Sequence, residues 1–318
     1  MQYIVFEGTE NREMSKNLPS ITVCICTYKR PEMLRGLLLK LQQLETSGFF
    51  TYSAVIIDND REGSAKETVE VISARSSIEM EYFIQPERNI ALARNMAVKR
   101  ARGDYIAFID DDEFPVCDWL LKLYKTYRNY ETDGVLGPVR PHFEAPPPGW
   151  ILKGRFCDRP EYKTGTPLHW SKTRTGNVLL GRRLFESLHP FDPQFAVGGE
   201  DTNFFRERME EGYVFIWCNE ALVYEIVPSN RLRKSYFIKR AFLRGNVAIY
   251  FLGTNPRFWD KAGLLIKSSS AILLYTAVLP FTILGGVHVF MKYLLKSVQH
   301  ASCLLGLFGL VQETNRNI

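Results

Sequence analysis

Residues Tyr105–Pro115 read YIAFIDDDEFP. Tyr105–Ile109 is apolar and rich in aromatic or β-branched residues, as befits a strand buried on both faces. It runs straight into four carboxylates, Asp110, Asp111, Asp112 and Glu113. Like charges side by side repel, and they are costly beside a core unless a positive group joins them. A strand predicted over Tyr105–Asp110 puts Asp110 and Asp112 on one side and Asp111 opposite. Carboxylates at a strand end suit a hard divalent cation, which keeps coordination sites open for phosphate oxygens. One of the paired acids can then reach a sugar hydroxyl while the other holds the metal.

Three similar runs precede this one: ITVCICT (Ile21–Thr27), AVIID (Ala54–Asp58) and MEYFI (Met80–Ile84). Helical patterns lie between some of them. After Pro31, Leu34, Leu37, Leu38, Leu41 and Leu44 recur at helical spacing. After Asn89 a second pattern runs to Gly103, which is expected to cap its C-terminus. Strands alternating with helices predict an α/β fold with a mainly parallel sheet, whose ligands sit at the carboxyl ends of the strands. Asp58 and Asp110–Glu113 fall at such ends. From His142 to Gly176 the periodicity fails, around the stiff EAPPPGW turn (Glu144–Trp150), and a loop of this length inside a compact domain points to function.

The chain has 318 residues, 46% of them hydrophobic, enough for one large α/β unit plus an appendage. Its formal charge is +5, from 40 basic and 35 acidic residues. Eleven of those basic residues, against Asp260 alone, lie between Pro228 and Gln299, which leaves 29 basic and 34 acidic residues elsewhere. An acidic body with a basic tail disfavours nucleic acid as a partner, because the basic residues gather beside an apolar span. The six cysteines form no CxxC pair and read as small buried thiols that suit a reducing compartment, with Cys24 and Cys26 on one strand face. The opening Met1–Ser20 is polar and lacks the apolar stretch of a secretory signal.

The phosphate-cradling GxxxxGK[ST] and GxGxxG patterns are missing. In their place stand, in order, TYKRPEML (Thr27–Leu34), IDND (Ile57–Asp60), NIALARN (Asn89–Asn95), FIDDDE (Phe108–Glu113), TGN (Thr175–Asn177) and GGED (Gly198–Asp201). This ordered set resembles the inverting family 2 glycosyltransferases of GT-A fold, over roughly residues 21–227. It is nearest to bacterial exopolysaccharide enzymes of the succinoglycan type, which share the PPPGW loop, the CNEALVYEIVPSNRL run and a basic, membrane-seeking tail.

The resemblance implies a role for each motif. Thr27, Tyr28 and Arg30 would cradle the nucleotide base, and Asp58 would accept a hydrogen bond from uracil. Arg94 and Asn95 would lie near base and ribose. Asp110, with Asp111 beside it, would meet the ribose, and Asp112 would coordinate the Mn²⁺ or Mg²⁺ that bridges the donor diphosphate. Asp201 would be the general base, with Glu200 orienting the acceptor. Many relatives carry a histidine ligand near the end of the domain, where this chain has Glu225. That carboxylate is either a metal ligand or a strand-end acid satisfied by Arg231 or Arg233. Trp150, Gly176, Asn177 and Gly199 are assigned to the acceptor side, although ordinary packing explains a loop tryptophan equally well. For Asp58 an Asx turn is the competing reading, for Glu200 and Asp201 simple helix capping.

Near the end, Ala271–Met291 is a 21-residue segment free of Asp, Glu, Lys and Arg. As a helix it would be roughly 31 Å long, against about 30 Å of hydrocarbon. Basic flanks suit anionic headgroups, while Pro280 and Gly285–Gly286 are candidate breaks. The expected organisation is therefore an extension (1–20), a GT-A catalytic domain (21–230) and a basic, helical, membrane-associated region (231–318). The expected partners are a nucleotide-sugar donor, a lipid-linked saccharide acceptor and the cytoplasmic face of the membrane. The QxxRW motif of processive synthases is missing, which favours a single sugar addition. Two alternatives are a nucleotidyltransferase that makes a nucleotide sugar, and a non-catalytic membrane scaffold.

Overall fold

The computed structural model describes residues 18–195, 198–250 and 257–310. The expectations for the polar opening segment therefore lie outside the described residues, except at Leu18–Ser20. The first half alternates as anticipated: β1 (Ser20–Thr27), α1 (Pro31–Leu41), β2 (Thr51–Asp58), α2 (Lys66–Ser73), β3 (Met80–Ile84), α3 (Ile90–Arg100) and β4 (Tyr105–Phe108). Then come β5 (Glu113–Pro115), α4 (Trp119–Tyr130), β6 (Gly134–Leu136), β7 (Val139–Phe143), α5 (Gly149–Gly154) and β8 (Val178–Gly181). The chain continues through α6 (Glu200–Glu210), β9 (Phe215–Trp217) and β10 (Val223–Val227) to α7 (Lys234–Tyr250), α8 (Phe258–Thr282) and α9 (Val287–Leu307).

Seven strands form one sheet in the order β3-β2-β1-β4-β8-β6-β9. It is mainly parallel, and only β8 runs antiparallel to its neighbours β4 and β6. The alternation within β1 explains why both faces are covered. Ile21, Val23 and Ile25 pack with Leu34, Leu37, Leu38 and Leu41 of α1 and with Trp119. Cys24 and Cys26 face the other way, toward Ala91 and Ala97 of α3 and Phe204 of α6. Each fully buried leucine contributes roughly 1.5–3 kcal/mol. Connections leave β1 toward β2 on one side, while β4 lies on the other, so a crevice opens beyond the carboxyl ends of β1 and β4. A second sheet, β5-β10-β7, folds over this end and returns the segment after β10 to the crevice.

Three local expectations change. β4 stops at Phe108, two residues early, because Asp110–Glu113 closes a turn in which Glu113 N–H donates to Asp110 O at 3.1 Å. The side-to-side alternation inferred for the acids is lost with it. Gly103 does not cap α3, which ends at Arg100 with Ala101 as its C-cap; instead Gly103 lies against β1, where a Cβ would come 2.7 Å from Thr22 N. The apolar stretch Ala271–Met291 is not one helix. Pro280 sits inside α8, and the break comes at Gly286, whose φ of 91° is natural only for glycine.

Helix α8 leaves Leu273, Leu274 and Phe281 exposed. With the following turn it makes a 28-residue helical stretch, Phe258–Gly285, that is long and apolar enough to cross a membrane. α9 folds back on it, and the Ser302 hydroxyl donates to Phe242 O of α7 at 2.5 Å.

Asn177 shows how the crevice floor is fixed. Its φ is 59° and its side chain is fully buried. The amide accepts from the Trp119 indole at 2.7 Å and donates to Pro138 O at 2.8 Å and Ala221 O at 2.7 Å. Asparagine is among the few residues that tolerate this backbone region. Asn177→Ala strands three buried polar partners, so equilibrium unfolding is expected to show a loss of about 2–4 kcal/mol. A loss below 1 kcal/mol would mean that the three contacts are replaceable.

Candidate active site

The turn after β4 turns its acids apart. Asp111 accepts from the Thr27 hydroxyl at 2.8 Å and from Arg30 Nη1 at 3.1 Å. Asp112 takes the same Arg30 nitrogen at 3.2 Å and Arg231 Nη2 at 2.9 Å. Asp110 faces α3, with Arg94 Nη2 3.6 Å away. Asp111 and Asp112 thus share a guanidinium, and Asp110 belongs to a different pair, the reverse of the expected grouping. Burial pushes the Asp111 carboxyl up to about 6, against the opposing pull of Arg30.

Arg94 is the tie to the second acidic motif. It pairs with Glu200 at the start of α6 as well as with Asp110. Arg94 and Glu200 are both buried, at 7% and 2% exposure, so this is an ion pair shielded from solvent. Burial opposes the Arg94 charge, but Glu200 and Asp110 more than offset it and stabilise the charged form. Gly198 and Gly199, with φ of 126° and 98°, make the turn that presents Glu200 and Asp201. Asp201 Oδ1 accepts from Thr202 N–H at 2.7 Å, while the residue stays partly open. A first-turn carboxylate gains from the helix dipole and remains available as a proton acceptor.

The small sheet supplies the remaining charges. Glu113 of β5 stands opposite Glu225 of β10 in register. Glu225 is held by Arg159 and, at 3.2 Å, by Arg231. The Arg231 alternative for Glu225 is therefore realised, Arg159 joins it, and Arg231 links Glu225 to Asp112. Glu113 Oε2 accepts from Asp110 N–H at 3.1 Å, but buried Oε1 has no hydrogen-bond partner. Burial and the Asp110 charge push the Glu113 carboxyl well above the usual range. Gly176 makes this crowding possible, since a Cβ there would sit 2.8 Å from Glu113 Oε1 and 3.1 Å from Asp110 Oδ2.

Several expected site residues make contacts within the scaffold. Asp58 is fully buried and accepts from Asp60 N–H at 3.0 Å, Ala65 N–H at 2.8 Å and the Tyr82 hydroxyl at 2.8 Å. These contacts form the Asx turn that was the competing reading and engage both carboxylate oxygens. Asn95 exchanges two hydrogen bonds with the Phe191 backbone, at 2.7 and 2.9 Å, and so fastens α3 to the segment before α6. Asn177 is spent on the floor described above. Trp150 packs against Phe156 and Phe237, with ring centroids 5.2 and 5.5 Å apart. Tyr28 remains at the crevice, with the Arg88 guanidinium 4.6 Å from its ring centroid.

Sequence names Arg231 only as a candidate partner of Glu225 and gives no sign of Arg159, because an isolated arginine carries no periodic signal. The PSNRL run (Pro228–Leu232) was the available hint. Among the described residues no group of three or more His, Cys, Asp or Glu is arranged to hold a metal. The side-chain oxygens at the Asp110–Glu113 turn are carboxylate, the type a hard cation takes, and buried Glu113 Oε1 lacks a hydrogen-bond partner, but Arg30 and Arg231 occupy Asp112 and would have to yield it to a metal.

Comparison with known proteins bears on the family and the fold. The model of glycosyl transferase family 2 matches residues 22–197. The succinoglycan biosynthesis protein ExoM of Rhizobium meliloti (strain 1021) is 32% identical over 300 residues, 91% of this chain and 93% of that one. Among solved structures, S. aureus TarS superposes with a TM-score of 0.50 at 13% identity, covering 90% of this chain but only 55% of TarS. TarS 1-349 in complex with UDP gives a TM-score of 0.51 at 12% identity, covering 91% of this chain and 92% of that one. At such identities the TarS structures speak for the fold, which is the GT-A type.

Proposed function

The chain belongs to glycosyl transferase family 2, and from that premise we propose that it transfers one sugar, with inversion, from a UDP-sugar to a lipid-linked saccharide during exopolysaccharide assembly. The observation that carries the proposal is a pair of ionic groups that meet at the Asp110–Asp112 turn: Arg30 joins Asp111 to Asp112, and Arg94 joins Asp110 to Glu200, the neighbour of Asp201. Two acidic groups on one crevice support a division of labour, one toward the donor phosphates and one toward the acceptor proton. A nucleotidyltransferase gives no reason for that second group.

Tyr28 and Arg30 would receive the nucleotide, with Asp110 toward the ribose. Asp112 would hold Mn²⁺ or Mg²⁺, with Glu225 as a further oxygen ligand. The metal supplies charge neutralisation for the departing diphosphate. The protein's own residues do the rest. Asp201 takes the proton from the acceptor hydroxyl as the new O–C1 bond forms on the face opposite the donor diphosphate. The C1–O bond to phosphate breaks, UDP leaves, and the anomeric centre is inverted. Arg94 holds Glu200, and thereby the start of α6, against the donor side. Residues 231–318 would attach the enzyme to the cytoplasmic face of the membrane, where α8 offers its apolar surface.

Calorimetric titration of the detergent-solubilised protein with UDP tests the donor side. Binding is expected to tighten at least tenfold with Mn²⁺ in the wild type, and Asp112→Asn is expected to abolish the Mn²⁺ dependence. Equal UDP affinity with and without Mn²⁺ in the wild type would remove Asp112 as a metal ligand.

A further inference from the structure

Beside the crevice, between the long loop after β7 and helix α7, lies a cavity of about 430 Å³. Its wall carries six basic side chains, Arg159, Lys172, Arg174, Arg231, Arg240 and Arg244, against two acids, Asp158 and Glu225. Glu225 is taken up by Arg159 and Arg231, and Asp158 pairs outside the set with Arg155 at 2.7 Å. The wall therefore keeps an excess of cationic charge. Arg174 is the clearest case: its Nε is buried and has no hydrogen-bond partner. Burial and the neighbouring Arg159 charge pull its guanidinium down to about 10, so the fold holds this cation without satisfying it. A buried donor left unpaired is destabilising, and that cost is removed when an acceptor arrives. Clustered guanidinium groups suit phosphate oxygens, which they bind in two-point fashion.

We propose that this cavity binds the diphosphate of a lipid-linked acceptor, at the junction of the catalytic crevice and the C-terminal helices. Its place in the fold favours a lipid over a free anion. Arg240 and Arg244 project from α7, which packs on α9 and so adjoins the apolar α8–α9 hairpin. Phe156, Val227 and Tyr236 share the wall, an apolar side on which the start of a lipid chain can lie. On the other side Glu225 and Arg231 join the cavity to Asp112. A diphosphate seated here would present the attached saccharide to the crevice, while its lipid follows the exposed helices. The inference rests on the transferase reading given above and adds the place where the acceptor is gripped.

The probe is farnesyl diphosphate, titrated calorimetrically into the full detergent-solubilised chain, with farnesol as the uncharged control and UDP as the donor control. Wild type is expected to bind farnesyl diphosphate at least tenfold more tightly than farnesol. Arg174→Gln and Arg244→Gln are each expected to weaken farnesyl diphosphate binding about tenfold and to leave UDP affinity within twofold. Two positions on different elements guard against a folding defect at either one, and retained UDP binding reports a folded crevice. Parallel loss of UDP and farnesyl diphosphate would overturn the proposal and assign the cavity to the donor's diphosphate. A wild type that binds UDP but treats farnesyl diphosphate like farnesol would also overturn it and leave the transferase reading intact. A folded wild type that binds no UDP would instead count against the transferase reading itself.

Discussion

Asp201→Asn is expected to lower kcat by about 10²–10⁴-fold, the usual contribution of a positioned general base. That range corresponds to about 3–5 kcal/mol of barrier. The substitution is nearly isosteric, and the amide oxygen can still accept from Thr202 N–H, a contact of 2.7 Å in the carboxylate form. The start of α6 should therefore stay in place. What is lost is the ability to take a proton from the acceptor hydroxyl. UDP affinity should be unchanged, because Asp201 has no contact with the Arg30–Asp112 side of the crevice. Steady-state rates with a lipid-linked acceptor, paired with UDP titration, separate the two effects. A kcat within tenfold of wild type, at unchanged UDP affinity, would take the base role away from Asp201.

The second large effect concerns stability. Arg94→Met removes the partner of Glu200 and leaves a carboxylate at 2% exposure without its guanidinium. Breaking a buried ion pair from one side costs about 3–5 kcal/mol, because the remaining charge has neither water nor a counter-ion. Against the 5–15 kcal/mol typical of folded domains, that is a large fraction of the total. The double substitution Arg94→Met/Glu200→Gln removes both charges and is expected to recover roughly half of the loss. The coupling between the two positions in a double-mutant cycle is the quantity to measure. A single variant that unfolds within 1 kcal/mol of wild type would show that Arg94 and Glu200 are not paired in solution. Catalytic loss in the double variant with stability regained would point to Arg94 as a positioning residue for α6.

These two positions show how unevenly sequence reports on a site. Asp201 and Glu200 stand together in GGED, and paired glycines before adjacent acids already suggest a close-approach turn. Arg94 was visible only as part of a motif. Its partners lie 16 and 106 residues away along the chain, and no local pattern encodes such pairs. Asp58 and Asn95 stand in the motifs assigned to the nucleotide, and the structure shows both engaged with backbone groups of the protein. Both have short polar side chains, which backbone N–H and C=O groups nearby satisfy once the elements pack.

By itself the sequence determined the α/β class, the four first strands to within a few residues, the buried face of α1 and the acidic turn after β4. Each rests on a periodicity or a local propensity, which acts over a few residues and so is written in their order. Only the tertiary structure decided which acid meets which cation. The turn at Asp110–Glu113 broke the alternation that the strand would have imposed, and β10 brought Glu225 and Arg231 back across the crevice. The cationic cavity behind them joins residues from the long loop, the end of β10 and α7, so it exists only when those three segments meet. Ion pairing and burial depend on distance in space, and chain order does not fix that distance until the sheets have packed.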